Sequence, residues 1–130
     1  MMVPGLAMPA DAAMAAGNVD GIRVATARHR LSCRHATPMG YAFCSVVFNV
    51  NVRSGDPKEP DAYVHCRLFY VVRYTDNPKV LYRRSKELAN SVYLSNGQGS
   101  TEFLIRFKGD PRHGPVKGAL VDDIQCTAHR

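Results

Sequence analysis

Two stretches of the sequence predict the fold most clearly: residues 41–53, YAFCSVVFNVNVR, and residues 62–74, AYVHCRLFYVVRY. Apolar side chains recur there at every second position, which is the period of a β-strand with one buried and one solvated face. In the first stretch the buried face is predicted to contain Ala42, Cys44, Val46, Phe48, Val50 and Val52. In the second stretch it is predicted to contain Val64, Cys66, Leu68, Tyr70, Val72 and Tyr74.

Shorter alternating stretches flank these two strands, at residues 22–33, 101–108 and 119–127. One middle segment is less regular: it predicts short strands at Val80–Tyr82 and Val92–Leu94, with one helical turn or an irregular crossing at Ser85–Asn90. Segments rich in Gly, Pro, Asn and Asp separate the strands. With about seven strands and no convincing helix, the sequence predicts an all-β, Ig-like antiparallel two-sheet β-sandwich.

The composition is that of one globular domain. The chain has 130 residues, of which 45% are hydrophobic and 22% are charged. No stretch approaches the ~18 uninterrupted apolar residues of a membrane-spanning helix, so the sequence predicts no membrane span. A chain of this length also excludes the cofactor-binding folds that need several βαβ units, and no cofactor is predicted.

The first 20 residues differ from the rest of the chain. Residues 1–17 are rich in Ala and Met, and Ala13-Met14-Ala15 fits the small-x-small pattern of a signal-peptidase site. A positively charged region before the apolar run is absent. We therefore predict a signal-peptide remnant or a flexible or cleaved leader at residues 1–20, with a short N-terminal helix as the alternative. The β-sandwich domain is predicted at residues 21–130.

The chain contains four cysteines, Cys33, Cys44, Cys66 and Cys126. An even number of cysteines in a small, strand-rich chain predicts disulfides in an oxidising compartment, so we expect a secreted or periplasmic protein. Three pairings are possible. We favour Cys33–Cys44 with Cys66–Cys126, because a hairpin would place the first pair directly opposite each other. The spacings contain no CxxC and do not predict a zinc site.

The net charge is +6, from 17 Lys and Arg against 11 Asp and Glu. Such a charge permits binding to an acidic protein, an anionic glycan or a nucleic acid. The basic residues are scattered through every segment and are not interleaved with the aromatic residues of a base-stacking surface. Nucleic acid is therefore not favoured as a partner, and the charge is interpreted as solubilising.

The sequence contains residue types that can perform catalysis, but it contains no complete catalytic motif. The sequence has no GxSxG, HExxH or phosphate-binding motif, and no spacing groups Glu102 or the Asp122-Asp123 pair with the histidines. Adjacent residues of a strand point to opposite faces, so Asp122 and Asp123 would share a metal only if the strand bulges there. The preferred explanation of the two aspartates is that they cap the strand or lie at an edge position. No catalytic residue or metal ligand is predicted. The five histidines are His29, His35, His65, His113 and His129.

A patch of aromatic and basic side chains is predicted on the solvent side of residues 62–74. Its residues are Tyr63, His65, Arg67, Phe69 and Arg73, with Val71 among them. Each sheet of a sandwich buries one face, so aromatic residues on the other face indicate either a contact surface or a segment packed over it. We predict a protein-binding patch, and coverage by residues 83–94 is the alternative.

Three consecutive motifs cover most of residues 41–127. They are VVFNVNVRS, then CRLFYVVRYTDNPKVLYR with its V-x-Y-x-D hairpin, then NGQGSTEFLIRF followed by a final VDDIQC strand. Together these motifs resemble bacterial extracytoplasmic Ig-like domains of the FxLYD type. The four cysteines and the longer loop after Arg53 depart from that pattern. The resemblance implies an envelope or secreted binding module, and it transfers no catalytic residue.

The predicted function is that of a non-catalytic secreted or periplasmic binding module, an envelope accessory or secretion-system protein that contacts another protein. An immunity or inhibitor protein against a toxin or hydrolase is the alternative among binding proteins. A small basic nuclease-like enzyme is the alternative from a different class. An enzyme requires that the histidines, Glu102 and the aspartate pair converge in one cleft, whereas a binding module requires a flat patch.

Overall fold

The structure is a computed structural model that describes residues 16–19, 21–37 and 40–130. The predicted leader up to residue 15 lies outside the described residues, and so do residues 38 and 39 of the hairpin predicted between Cys33 and Cys44. No helix that is long and apolar enough to cross a membrane occurs in the described part of the chain.

Eight β-strands and no helix make up the described part of the chain. They are β1 (Ala16–Val19), β2 (Ile22–Thr26), β3 (Arg30–Thr37), β4 (Gly40–Ser54), β5 (Asp61–Tyr74), β6 (Tyr82–Tyr93), β7 (Gln98–Lys108) and β8 (Val116–His129). All of the pairings between these strands are antiparallel. β2 and β3 lie end to end along one edge of β4, so the eight strands occupy seven positions.

The strands form two antiparallel sheets. In the first sheet, β4 lies between β2 and β3 on one edge and β7 on the other, and β1 extends the sheet beyond β2. In the second sheet, β5 lies between β6 and β8. One bridge, between Tyr41 and Val116, joins the two sheets. These positions match strands A, B and E and strands C′, C and F of an Ig domain, so the prediction of an Ig-like β-sandwich is confirmed.

The core lies between β4 and β5. The predicted inward residues of β4 from Cys44 to Val52 are buried, and Phe48 packs against Phe103 of β7 with ring centroids 5.5 Å apart. On β5 the predicted inward residues are buried except Tyr70, which is half-buried. The ring of Tyr70 stacks on Phe107 at 4.7 Å, where the core meets solvent.

The segment that the sequence left irregular is a continuous strand. β6 pairs with β5 from Val72↔Tyr82 to Asp61↔Tyr93, which corrects the predicted helical turn at Ser85–Asn90 and the two separate short strands. β6 is the edge strand of the second sheet and is exposed along most of its length. Edge strands commonly carry charged side chains that discourage further pairing, and these charges obscured the period-two pattern.

Residues 16–19 belong to the first sheet although they lie within the predicted leader. β1 pairs with β2 from Ala16↔Ala25 to Val19↔Ile22, and it also lies beside β8 of the second sheet. The described fold therefore begins at or before Ala16 rather than at Gly21. The predicted cleavage of a signal peptide stays a prediction.

The cysteines are paired as the sequence favoured. Cys33 is bonded to Cys44 across β3 and β4, and Cys66 is bonded to Cys126 across β5 and β8. In both pairs the two residues are direct partners in the strand register. Each disulfide therefore lies within one sheet and ties a central strand to a neighbour.

Removal of the two disulfides should have unequal effects. Cys66–Cys126 spans 60 residues and Cys33–Cys44 spans 11. The chain-entropy model then gives about 4 kcal/mol for the first and about 3 kcal/mol for the second. We expect the Cys66→Ala/Cys126→Ala variant to unfold at lower urea than the Cys33→Ala/Cys44→Ala variant. The opposite order in their unfolding free energies would contradict this expectation.

Candidate protein-binding face

The predicted patch lies on the outer face of the second sheet. The register of β5 places Tyr63, His65, Arg67, Phe69 and Arg73 on the side that points away from the first sheet. β6 pairs with β5 edge to edge, so the alternative in which residues 83–94 pack over this face is wrong. None of the other described strands covers it.

Polar contacts occupy one end of this face. Tyr63 is 42% exposed, and its ring centroid lies 5.5 Å from that of His129. Glu87 of β6 contacts two patch residues: its Oε1 lies 3.1 Å from Nε2 of His65, and its Oε2 lies 3.4 Å from a guanidinium nitrogen of Arg67. These groups are about half exposed, so the ion pairs add little to stability and leave the side chains available to a partner.

A groove occupies the other end of the face and has a volume of about 250 Å³. Leu81 and Leu120 at its walls are 55% and 64% exposed, whereas Val71 is only 8% exposed. The volume is below the range of about 300–1,000 Å³ that is typical of small-molecule sites. The lining residues are Val71, Arg73, Leu81, Arg83, Gly118, Ala119, Leu120 and Asp122.

A β-bulge in β8 shapes this groove. Phe69 pairs with Asp123 and Tyr70 pairs with Val121, so Asp122 is the extra residue. The bulge lets Val121 point into the core while Asp122 points to the outer face, where its carboxylate lies 3.7 Å from Arg83. The side chains from β5, β6 and β8 then surround one hollow.

The bulge also bears on whether the adjacent Asp122 and Asp123 could share a metal ion. The condition under which the two aspartates would share a metal is met, but their carboxylates have separate partners. Asp122 lies near Arg83, and Asp123 accepts hydrogen bonds from the backbone N–H of Ile124 at 2.9 Å and from Gln125 at 3.0 Å. No group of three His, Cys, Asp or Glu suited to a metal ion occurs among the described residues.

Sequence reasoning missed Leu81 and Leu120 as parts of this face. One signal was present: Val121 and Ile124 are three positions apart with two aspartates between them, which breaks the period of two and indicates a bulge. Leu81 gave no signal, because it precedes β6 and reaches the groove through the pairing of β6 with β5.

The candidate catalytic residues do not converge among the side chains that the structure describes. His65 lies on the outer face of the second sheet, and Glu102 lies on the outer face of the first sheet. His113 lies in the loop after β7, where its Nδ1 is 2.6 Å from an oxygen of Asp76. Its ring stacks on Tyr74 at 5.3 Å. The prediction that the protein is not an enzyme stays a prediction.

The contact between His113 and Asp76 joins two loops at one end of the sandwich. Backbone hydrogen bonds from Thr75 to Pro115 and from Asp76 to His113 join the same loops. The ring of Tyr82 lies 4.9 Å from that of His113 and 5.4 Å from that of Tyr74, so the three rings contact one another. The cluster therefore connects the loop after β5 to the loop after β7.

No family model matches the chain, and no curated protein matches it.

Replacement of Asp76 should destabilise the protein in a pH-dependent way. The hydrogen bond from His113 lowers the pKa of Asp76 below its ordinary value of 3.8. A lowered folded-state pKa gives stability that is complete above pH 3.8 and is lost as the pH falls through the lowered value. Asp76→Asn should therefore reduce the melting temperature at pH 6 and reduce it less as the pH falls below 3.8. An equal reduction at every pH would contradict this explanation.

Proposed function

We propose that the protein is a non-catalytic binding module of the periplasm or the extracellular space, and that it contacts another protein through the outer face of the second sheet. The groove at Val71, Leu81 and Leu120 carries this proposal. It combines exposed apolar walls with charged neighbours on a face that no described strand covers.

The chemistry of the groove indicates the kind of partner. Interfaces between proteins place apolar anchors at their centre and polar residues at their rim. Here Val71, Leu81 and Leu120 provide the apolar centre, and Arg73 and Arg83 lie beside it. Arg83 faces Asp122, whereas Arg73 has no acidic partner in the described part of the chain. A partner with an apolar anchor next to a carboxylate would fit both features.

The two disulfides support the proposed compartment. Disulfides persist in oxidising environments and are rare in the cytosol, so the pairs fit a secreted or periplasmic protein. The resemblance to FxLYD-type Ig-like domains points to the same compartment and to an envelope role. The intact mass and the free-thiol count of the protein from its native host test this part. Four free thiols would contradict it.

A matched pair of leucine variants tests the binding face. Leu120 on the second sheet and Leu104 on the first sheet are 64% and 57% exposed. Substitutions at such exposed positions change stability by about 0.5 kcal/mol or less, so Leu120→Ser and Leu104→Ser should both fold normally. We expect Leu120→Ser to weaken capture of the partner by about tenfold, because it removes an anchor, and Leu104→Ser to leave capture unchanged.

The measurement is quantitative affinity capture from an envelope extract of the native host, with the wild-type protein and both variants in parallel. Proteins that are lost with Leu120→Ser and retained with Leu104→Ser are the candidates for the partner. If every captured protein is retained with Leu120→Ser, the groove is not the binding site and the proposal fails.

A further inference from the structure

The outer face of the first sheet collects a large share of the positive charge of the protein. Six exposed cations from four strands point to this side, although they are far apart in the sequence. Glu102 is the only acidic side chain on this face among the described residues. The cations are Arg23, Arg30, Arg34, Arg53, Arg106 and Lys108.

The cations form two lines, and the outward side chains of β4 between these lines are Phe43, Ser45 and Val47. Arg30 and Arg34 lie on β3, on one side of β4, and Arg106 and Lys108 lie on β7, on the other side. Neighbouring strands are about 4.8 Å apart, so the two lines are separated by about 10 Å. Arg53 lies ten residues beyond Phe43 on β4, which extends the face to about 34 Å. The face is long and narrow.

One end of the face contains two like charges on directly opposite positions of neighbouring strands. Arg23 and Arg53 are register partners on β2 and β4 and point to the same side. Like charges directly opposite each other on two strands are destabilising. Neither side chain has a carboxylate partner in the described part of the chain. An anion bound between them would remove this repulsion.

We infer that this face binds a linear anionic polysaccharide that lies along β4. Guanidinium groups form paired hydrogen bonds with carboxylate and sulfate groups, and they occur here on both sides of the central strand. Along the outward side of β4 and on β7 beside it, hydroxyl and amide groups can hydrogen-bond the hydroxyl groups of a sugar chain. These are Ser45, Asn49 and Asn51 on β4, with Ser100 and Gln98 beside them on β7.

The same observations disfavour two other polyanions. Single-stranded nucleic acid binds to rows of aromatic side chains on which successive bases stack. Phe43 is the only aromatic side chain described on this face, and the guanidinium of Arg106 lies 4.8 Å from its ring centre. An anionic bilayer would meet a twisted face along only part of its length, and its binding gains from an apolar surface that inserts into the lipid. Apart from Phe43, the apolar side chains of this face in the described part of the chain are Ala25, Val47 and Leu104, which is a small area for insertion into lipid.

The test measures binding of a fluorescent heparin oligosaccharide, which is a sulfated and carboxylated polysaccharide, to the full chain. Arg30→Gln/Arg34→Gln removes two exposed cations of the face. Lys79→Gln/Arg112→Gln is the matched control, because it removes the same charge from exposed loops outside both faces. We expect the first variant to weaken binding by roughly tenfold and to lower the slope of log K against log salt by about two. The control should change the affinity less than twofold.

Three results would overturn the inference. The first is an equal loss of affinity in the control, which would show attraction by net charge alone. The second is tighter binding to single-stranded or double-stranded DNA, or to phosphatidylglycerol vesicles, than to heparin. The third is no heparin binding at low salt. The groove on the second sheet is unchanged in both variants, so failure here leaves the proposed protein-binding function standing.

A second readout separates ligand binding from a structural role. Arg53→Gln removes one member of the like-charge pair. The variant should raise the melting temperature of the free protein and lower its affinity for heparin, because repulsion in the free state is relieved while an anion contact is lost. A lower melting temperature would show that Arg53 stabilises the fold and would contradict its assignment to the binding face.

Discussion

The packing of β4 against β5 is the interaction on which the rest of the structure depends. Each is the central strand of its sheet, and their inward side chains form about half of the core. Because side chains alternate along a strand, burial of one set commits the other set to solvent. A slip of one residue in β4 would bury Arg53 and expose Val52, so the register is strongly specified. The chemistry of both outer faces follows from this choice.

The two disulfides fix the register of each central strand relative to one of its neighbours. Cys33–Cys44 ties β3 to β4, and Cys66–Cys126 ties β5 to β8. The second bond lies in the part of β8 after the bulge at Asp122, and both register shifts between β5 and β8 precede that part. The shift moves the first half of β8 relative to β5 and shapes the groove. The register between β5 and β8 therefore changes at the bulge. The groove lies on the side of the bulge that includes Leu120 and Gly118.

The sequence was sufficient for those features that depend on one strand. The alternation in β4 and β5 and the outward side of Tyr63 and Phe69 follow from a period of two, and the favoured pairing of the cysteines followed from the hairpin expected between Cys33 and Cys44. The features that sequence reasoning missed depend on neighbours from other strands. β6 has no clear alternation, because it is an exposed edge strand whose place is set by β5. The cations are scattered in the sequence, and only the pairing of strands brings them to one face. For example, Arg30 of β3 pairs with Val47 of β4, and Val47 pairs with Leu104 of β7.

The sandwich separates the two proposed surfaces physically. Packed sheets lie about 10 Å apart, and a strand residue on one outer face cannot reach the other. Long-range charge attraction on the first sheet and close apolar contact on the second contribute differently to recognition, since the former mainly raises the rate of encounter and the latter mainly slows dissociation. Substitutions that are more than about 7–10 Å apart with no shared partner have additive effects. The two faces can therefore be altered one at a time, and each assignment stands or fails by itself.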